Sequence, residues 1–369
     1  MNYITPEQAG ISSENIREYI EMLENNRLTT HSVIMMKGND IFFEKYIEPF
    51  HKDFLHRMYS VTKSFVTLAV GFAMQDGLLK LDDKISEYFP EEMKNQHDEN
   101  MQNQTIRHML MMSTAKTPVD WFKERTDDRV RFYFENQGYS RPSGTTYEYD
   151  SSGSFVLCAL VERLTGKSFI DYLREKLFDK IGVSKEAYCL KCPGGHSWGD
   201  SALLCTSLDL LKTARFVMNK GMWNGERILD AEFIEEAVSK RIDNGKIGDY
   251  EHDSFGYGYL FWRTFDNSYF FNGMGCQFAI CVPDKELIFV YNGDNQGKQH
   301  AKKEIIDNFF NLIARKISVT PLPENPVNQK KLKEYTDTLK LAAAKGEKHI
   351  NLWSKSMVLL MKCLKILWE

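Results

Sequence analysis

Ser60 and Lys63 are the residues whose types and spacing most directly suggest covalent chemistry. The apolar run that follows, residues 64–74, contains no proline and predicts a buried helix that begins at Ser60. A spacing of three residues is about one helical turn, so the Lys63 amine is expected to lie over the Ser60 hydroxyl. A lysine held there could take the hydroxyl proton and make Ser60 a nucleophile. The alternative is a serine that caps the helix and a lysine that extends into solvent.

The same spacing recurs at Ser113 and Lys116, and the surrounding sequence separates the two pairs. Pro118 follows the second pair almost at once, so Ser113 is not expected to begin a long helix. Ser60, in contrast, precedes a run long enough for about four turns. We therefore predict that Ser60 is the nucleophile and that Ser113 is not.

A second segment could bring a proton donor to the same site. Residues 141–148 contain a proline and a glycine and predict a loop, which leads through Tyr149 and Ser151 into a helix at 152–165. A tyrosine beside a lysine ammonium could relay a proton to a leaving group. Taken alone, an ordinary loop tyrosine next to a helix start is the simpler interpretation.

A third segment, Asn272-Gly273-Met274, stands at a turn between two predicted strands. A glycine there would let a substrate carbonyl approach the strand edge. The backbone N–H of Met274 could then complete an oxyanion hole with the N–H of Ser60. A simple tight turn is the alternative.

In order and rough spacing, Ser60-x-x-Lys63, Tyr149-x-Ser151 and the strand at Gly273 resemble the motifs of the β-lactamase-like, penicillin-recognising serine hydrolases. The resemblance covers about residues 5–318. It is closest to class C β-lactamase relatives, including family VIII carboxylesterases and 6-aminohexanoate-dimer hydrolases. It implies an α+β fold of the β-lactamase/transpeptidase type, in which terminal helices flank an antiparallel sheet beside an inserted, mostly helical lobe.

The resemblance also implies a mechanism. Lys63, assisted by Tyr149, would take the proton of Ser60, which would attack an ester or amide carbonyl and form an acyl-enzyme that water hydrolyses. Ser151 would position Lys63 or the substrate.

The third motif departs from the penicillin-binding pattern. Where those proteins carry Lys or His, then Thr or a similar residue, then glycine, this chain has Phe271-Asn272-Gly273. The cation that would bind a substrate carboxylate is missing there, which favours esterase-like activity over β-lactamase or D,D-peptidase activity. A catalytically silent member of the same fold, which binds a ligand or partner, is the alternative from another class.

Other side chains could contribute to binding. Aromatic residues of the strand region could line an apolar acyl pocket, although strand aromatics more often belong to the core: Tyr257, Tyr259, Phe261, Trp262 and Phe271. His196 is predicted on a loop beside the cleft, where it could contact substrate. Cys189-x-x-Cys192 with His196 resembles half of a zinc site, but a closed site needs a fourth ligand, and only Cys205 is near. The sequence therefore predicts no metal and no cofactor.

The rest of the sequence supplies the elements that must position these residues. Residues 13–26 predict a helix, and two apolar segments separated by Gly-Asn-Asp predict a hairpin. The middle of the chain is mostly helical. Strand character returns in four short segments, and a helix follows them. The hairpin is predicted at 32–37 and 41–47, the later strands at 257–263, 268–272, 277–282 and 286–291, and the final helix at 301–316.

We predict one catalytic domain over residues 1–318, with the helical lobe at about 75–230. Pro321, Pro323 and Pro326 then indicate a linker. Residues 319–369 would comprise this linker and an amphipathic helical tail that docks on the body, in a homodimer or on a membrane surface.

The bulk composition restricts the class of partner. The chain has 369 residues, of which 43% are hydrophobic, and a formal net charge of −4, so it can bury a sizeable core and has no field that favours nucleic acid. No run reaches the ~20 apolar residues of a membrane span. The N-terminus lacks a signal-peptide pattern, and the seven cysteines are irregularly spaced, which predicts a cytoplasmic protein with reduced thiols. The expected partner is a small-molecule ester or amide.

Overall fold

A computed structural model describes residues 1–121, 126–245 and 251–341. Its strands are β1 (Asn2–Tyr3), β2 (Thr30–Lys37), β3 (Asp40–Tyr46), β4 (His56–Arg57), β5 (Tyr188–Cys189), β6 (Leu203–Cys205), β7 (Met222–Trp223), β8 (Glu226–Arg227), β9 (Trp262–Arg263), β10 (Tyr269–Gly273), β11 (Gln277–Val282) and β12 (Leu287–Gly293). Its helices are α1 (Ser13–Asn25), α2 (Val61–Gln75), α3 (Ile85–Tyr88), α4 (Pro90–Met93), α5 (Glu99–Gln102), α6 (Ile106–Leu110), α7 (Arg129–Phe134), α8 (Ser151–Thr165), α9 (Phe169–Leu173), α10 (Asp179–Ile181), α11 (Ser207–Met218), α12 (Ala231–Val238), α13 (Ala301–Phe309) and α14 (Pro326–Asp337).

The main sheet lies between two layers of helices. Within the described residues it has seven strands in the order β1-β3-β2-β12-β11-β10-β9. The strands run antiparallel except for β1, which pairs with β3 in parallel. The predicted hairpin is β2 and β3, which are joined at Gly38 with φ 58°, a conformation that glycine adopts without strain.

Helices from the two ends of the chain cover one face of this sheet. The buried residues of α1 include Ile16, Tyr19 and Leu23, which recur at helical spacing and form one apolar stripe. The rings of Tyr19 and Phe289 of β12 lie 5.7 Å apart, and Phe289 stacks on Phe309 of α13 at 4.3 Å. The opposite face packs against α2 and α11, beyond which lies the mostly helical lobe. The predicted α+β class is confirmed.

The strand predicted at 257–263 is mostly absent, because only Trp262–Arg263 pair with the sheet as β9. Leu260 has φ 58°, and its backbone N–H donates to Leu110 in the lobe (2.9 Å). The N–H of Tyr259 likewise donates to Ala237 (2.8 Å). Strand β9 pairs with Tyr269 and Phe270 of β10, and an isolated bridge joins its Trp262 to Tyr257. The edge of β10 at Phe271–Gly273 lies beside α2.

The region beyond residue 318 contains a helix, α14, that packs on the body of the protein. Helix α14 packs on α1, Gln329 donates to the Glu7 carboxylate (2.8 Å), and Lys45 pairs with Asp337 (2.8 Å). The segment predicted to form an amphipathic tail helix lies outside the described residues, and the domain boundary at 318 stays a prediction. None of the described helices combines the length and the apolar character that crossing a bilayer requires.

Candidate active site

Ser60 stands directly before the first turn of α2. The first thirteen residues of this helix, Val61 to Ala73, are buried. Tyr59 adopts φ 46°, a left-handed conformation that is uncommon for a residue with a side chain and recurs at functional sites. Two hydrogen bonds to Leu203 of the helical lobe hold residues 58–62 in place. The Met58 N–H donates to the Leu203 carbonyl (2.8 Å), and the Leu203 N–H donates to the Thr62 hydroxyl (3.1 Å).

Lys63 lies one turn into the helix and faces the Ser60 hydroxyl. Its Nζ donates to Ser60 Oγ (3.0 Å) and to the backbone carbonyl of Asp200 (2.7 Å), and the residue is 1% exposed. The Ser60 side chain makes no capping hydrogen bond. The pair is therefore neither a capping serine nor a lysine that extends into solvent.

Tyr149 approaches this pair from the loop before α8. The Lys63 Nζ lies 5.2 Å from the centroid of the Tyr149 ring, and the ring packs beside Trp262 with a centroid distance of 5.7 Å. Hydrogen bonds hold the residues on both sides of Tyr149. The Glu148 N–H donates to the Met112 carbonyl (2.8 Å), and Asp150 caps α8 by accepting from the Gly153 N–H (3.0 Å).

Two backbone N–H groups at the site are free to bind an oxyanion. Met274 follows the last residue of β10 and is 59% exposed, and Ser60 precedes α2. Among the described residues, neither the N–H of Ser60 nor that of Met274 donates to a protein acceptor. A pair of unused N–H donors on one cavity is the arrangement that binds the tetrahedral intermediate of acyl transfer.

Two cavities meet at Ser60, Tyr149 and Met274. The sheet-side cavity, about 380 Å³, is also lined by Trp262, Asn272, Gly273, Gly275, Cys276, Phe278, Asn295, Lys298 and Lys302. The lobe-side cavity, about 410 Å³, is also lined by Arg57, Tyr59, Pro118, Val119, Asp120, Trp121, Ser151, Trp198, Asp200 and Ser201. Each is large enough for part of a small-molecule substrate. The structure thus brings together Ser60, Tyr149, Ser151, Asn272, Gly273 and Met274, with Lys63 buried beside them.

Of the five strand aromatics that could have lined an acyl pocket, four take the core position that strand aromatics more often occupy. Trp262 lines the sheet-side cavity, whereas the side chains of Tyr257, Tyr259, Phe261 and Phe271 are fully buried in the core. The aromatic walls of the lobe-side cavity are Tyr59, Trp121 and Trp198 instead. Tyr59 directly precedes the Ser60 motif, which could have identified it, whereas Trp121 and Trp198 stand on separate segments with no motif nearby.

His196 lies outside both cavities. Its Nδ1 pairs with the Glu162 carboxylate of α8 (2.9 Å), and its ring packs edge-on against Phe155. The structure gives this histidine a place in the lobe rather than beside the substrate. In the described residues, no group of three or more His, Cys, Asp or Glu side chains could hold a metal ion, and the six described cysteines are free thiols.

Ser113 and Lys116 also occupy structural positions. The Ser113 hydroxyl donates to the His108 carbonyl (3.0 Å), and Lys116 forms a partly buried ion pair with Asp98 (2.7 Å). The helix near them, α6, ends at Leu110 before Ser113 is reached. The serine-lysine spacing at residues 113 and 116 therefore has a structural role.

Asp200 places a buried carboxyl group beside the site, which no sequence motif indicated. Its side chain is 4% exposed, and its Oδ1 is buried without a hydrogen-bond partner. Burial raises the pKa of the carboxyl group, while the charges of Lys63, Arg129 and Arg57 act in the opposite direction. The Asp200 carboxyl group, with Arg129 and Arg57 as nearby cations, thus lies beside the general-base candidate Lys63 on the wall of the lobe-side cavity.

These features define a protein of the β-lactamase/transpeptidase-like fold. The chain belongs to the Beta-lactamase family, whose sequence model matches residues 15–307. The 6-aminohexanoate-dimer hydrolase of Paenarthrobacter ureafaciens is 24% identical over 225 residues, which are 57% of this chain and 57% of that protein. The matched part thus spans little more than half of that relative.

Solved structures share the fold at low sequence identity. A putative 6-aminohexanoate-dimer hydrolase from Bacillus anthracis superposes with a TM-score of 0.66 at 18% identity and covers 83% of each chain. EstCE1, described as a hydrolase with promiscuous acyltransferase activity, also has a TM-score of 0.66, at 12% identity, over 81% of this chain and 98% of its own.

Proposed function

We propose that the protein is a carboxylesterase-like serine hydrolase that cleaves a small-molecule ester or amide through an acyl-enzyme on Ser60. The single observation that carries this proposal is the hydrogen bond from the buried Lys63 Nζ to Ser60 Oγ (3.0 Å), located where two cavities meet. A buried amine in contact with a hydroxyl is the arrangement that activates a serine nucleophile.

In the acylation step, Lys63 in its neutral form takes the proton of Ser60 Oγ as the oxygen bonds to the substrate carbonyl carbon. The carbonyl oxygen becomes an oxyanion, which accepts hydrogen bonds from the N–H groups of Ser60 and Met274. Tyr149 then protonates the leaving group, the ester or amide bond breaks, and the acyl group remains on Ser60.

In the deacylation step, a water molecule loses a proton to the same Lys63 and Tyr149 pair and attacks the acyl carbon. The bond to Ser60 Oγ breaks, Oγ regains a proton, and the acid leaves. Ser151 lines the lobe-side cavity at the first turn of α8, where its hydroxyl positions the substrate or Lys63.

The relatives support hydrolysis of this kind. One is named as a 6-aminohexanoate-dimer hydrolase, and a structural neighbour is described as a hydrolase with acyltransferase activity. Phe271 occupies the position where penicillin-binding relatives carry a cation, and its side chain is fully buried in the core. This supports esters or amides over β-lactams as the substrate class.

Reaction with a fluorophosphonate probe, followed by intact mass, tests the nucleophile. We expect a single adduct on the wild type, none on Ser60→Ala, and the wild-type adduct on Ser113→Ala. A wild type that forms no adduct would favour the silent, ligand-binding alternative.

Substrate class is tested separately. Short-chain p-nitrophenyl esters should be hydrolysed well above the rate of nitrocefin. The reverse ranking, or stable labelling by penicillin, would replace the esterase proposal with the β-lactamase or D,D-peptidase alternative.

A further inference from the structure

We propose that Asp200 is a positioning residue whose carboxylate stabilises the ammonium that forms on Lys63 when the amine takes the proton of Ser60. This inference rests on the proposed function and adds a charged group to that reaction. A lysine that acts as a base changes from neutral to positive during acylation, so a negative charge beside it favours the transition state over the ground state. The aspartate of a Ser-His-Asp triad acts on its imidazolium in the same way.

The backbone of Asp200 holds the amine of Lys63 in place. The Lys63 Nζ donates to the Asp200 carbonyl oxygen (2.7 Å) and lies 3.0 Å from Ser60 Oγ. Both the neutral amine and the ammonium have an N–H to give to this carbonyl, so the contact persists while the proton moves. The bond also keeps residue 200 next to the amine.

The side chain of Asp200 is buried on the wall of the lobe-side cavity without a structural partner. The residue is 4% exposed, and its Oδ1 has no hydrogen-bond partner. A buried carboxyl group with a purely structural role, such as a helix cap, is normally hydrogen-bonded. Its position beside a catalytic base therefore indicates a role in the reaction.

Two arginines provide positive charge near Asp200. Arg57 lies on the same cavity wall, and its guanidinium donates to the Ser201 carbonyl (3.1 Å) and to the Ser201 hydroxyl (3.3 Å). Arg57 and Arg129 both lie over the ring of Trp198, at 5.1 Å and 4.5 Å from its centroid. These cations favour the ionised carboxylate and offset the cost of burying it.

The charges of Asp200 and Lys63 are coupled. Burial raises the pKa of the Asp200 carboxyl group, and the charge of Lys63 is the largest of the effects that lower it. An interaction between two charges is mutual, so a carboxylate that gains from the ammonium stabilises that ammonium equally. The thiols of Cys158 and Cys189 also face Asp200, and burial raises the pKa of both, so they stay neutral. Tyr149 faces Lys63 from the loop before α8.

Asp200→Asn removes the charge and keeps the backbone carbonyl and the size of the side chain. The acid limb of the kcat/KM profile for a p-nitrophenyl ester should move about one unit to lower pH, because the Lys63 ammonium loses its proton more readily. On the plateau, kcat should fall by roughly threefold to tenfold, since the ammonium formed in the reaction is less stable. A merely structural role would lower kcat without moving the limb.

Asp209→Asn is the matched control. Asp209 is 2% exposed on α11, and its carboxylate accepts from the N–H groups of Ser184 (2.9 Å) and Thr206 (3.0 Å) outside both cavities. This variant should lower the melting temperature and leave the acid limb in place. If Asp200→Asn does not fold, Asp200→Glu and Asp200→Gln provide the same comparison of charge. Superimposed limbs with and without the charge at position 200 overturn the proposal.

Carbon NMR of the lysine Cε atoms separates this proposal from the proposed function, because it needs no turnover. The Lys63 signal is the one lost in Lys63→Met. Its titration midpoint should lie about one unit higher in the wild type than in Asp200→Asn. Equal midpoints in an active enzyme overturn the role of Asp200 and leave the hydrolase in place. If no ester is hydrolysed and no fluorophosphonate adduct forms, the hydrolase proposal fails, and the two midpoints alone decide whether Asp200 stabilises the ammonium.

Discussion

Gly273 of β10 packs against the backbone carbonyl of Met58, two residues before the candidate nucleophile. A Cβ built on Gly273 would lie 2.4 Å from that carbonyl oxygen, and 3.2 Å from a methyl carbon of Val61. The strand edge and the start of α2 are therefore in van der Waals contact. This contact sets the separation between the N–H groups of Met274 and Ser60, which must bind one oxygen atom together.

Gly273→Ala should therefore impair catalysis by separating these two donors. A Cβ closer than 3.0 Å to backbone forces a shift of the strand or of the Met58 segment, because backbone atoms cannot rotate away. A displacement of about 1 Å at a catalytic site costs on the order of 100-fold in rate. We expect kcat for a p-nitrophenyl ester to fall by roughly that factor.

Gly166→Ala is the control for the glycine substitution. Gly166 ends α8 at φ 67°, and a Cβ there would meet no atom within 4 Å. The left-handed conformation costs an alanine about 1 kcal/mol of stability, without a shift of the cleft. If both variants lose the same fraction of activity, the contact between Gly273 and Met58 does not set the oxyanion geometry.

Substitutions at the two serine-lysine pairs should have opposite effects. Ser60→Ala should abolish turnover, and Lys63→Met should nearly do so, because the nucleophile and its base are removed. Ser113→Ala and Lys116→Met should stay within a few fold of the wild-type rate. Lys116→Met should lower the melting temperature, since it leaves the Asp98 carboxylate without its partner. If Ser113→Ala folds normally but is inactive, Ser113 and not Ser60 is the nucleophile.

Asp150→Ala should lower kcat through Tyr149. The buried Asp150 carboxylate accepts from the Gly153 N–H (3.0 Å), the Thr114 hydroxyl (3.0 Å) and the Ser152 hydroxyl. These hydrogen bonds tie Asp150, the direct neighbour of Tyr149, to the first turn of α8 and to the segment that contains Thr114. Loss of the carboxylate should cost about 1–3 kcal/mol of stability and reduce kcat more than it changes KM.

A second helix cap serves as the comparison for Asp150. Asp230 caps α12 by accepting from the N–H groups of Glu232 and Phe233, and it does not line either catalytic cavity. Asp230→Ala should reduce the melting temperature with little change in kcat. Equal losses of kcat in the two variants would show that destabilisation alone, and not displacement of Tyr149, causes the effect.

The local part of the site could be predicted from sequence because helical geometry fixes it. A spacing of three residues at the start of an apolar helix places Lys63 over Ser60 in any tertiary context, and the hydrogen bond between them is observed. The context argument also holds for Ser113, since α6 ends before it. The general α+β order followed from the hydrophobic pattern of the strands and helices.

The cavity walls could not be predicted, because they depend on tertiary contacts. Residues 257–261 have the composition of a strand, yet the N–H groups of Tyr259 and Leu260 donate to the carbonyls of Ala237 and Leu110, and the aromatic rings of the segment lie in the core. Trp121, Trp198 and Lys298 reach the cavities from loops far apart in the chain. The strand propensity of a segment follows from its residue types, but it does not determine which other element the segment packs against.

Stability should fall in acid because His56 is buried in its neutral form. His56 is 6% exposed beside the rings of Phe50 and Phe54, and burial, followed by the nearby His31, lowers its pKa from 6.5 to about 4. Between these two values the unfolded chain binds a proton that the folded chain does not. The free energy of unfolding should therefore rise with pH from about 4 to 6.5 and be level above that range.

His56→Phe should remove part of this slope while keeping an aromatic ring in the cluster. Because the pKa of His56 falls from 6.5 to about 4 on folding, roughly 3 kcal/mol of stability should be lost on going from neutral pH to pH 4. Urea unfolding at pH 4.5, 5.5 and 7.5 measures the slope, and part should persist because burial also lowers the pKa of His31 to about 4. His51→Phe, at an exposed position of the same segment, is the control and should retain the full slope. A slope in His56→Phe equal to that of the wild type would mean that the imidazole of His56 is already solvated in the folded protein, so that its protonation does not oppose folding.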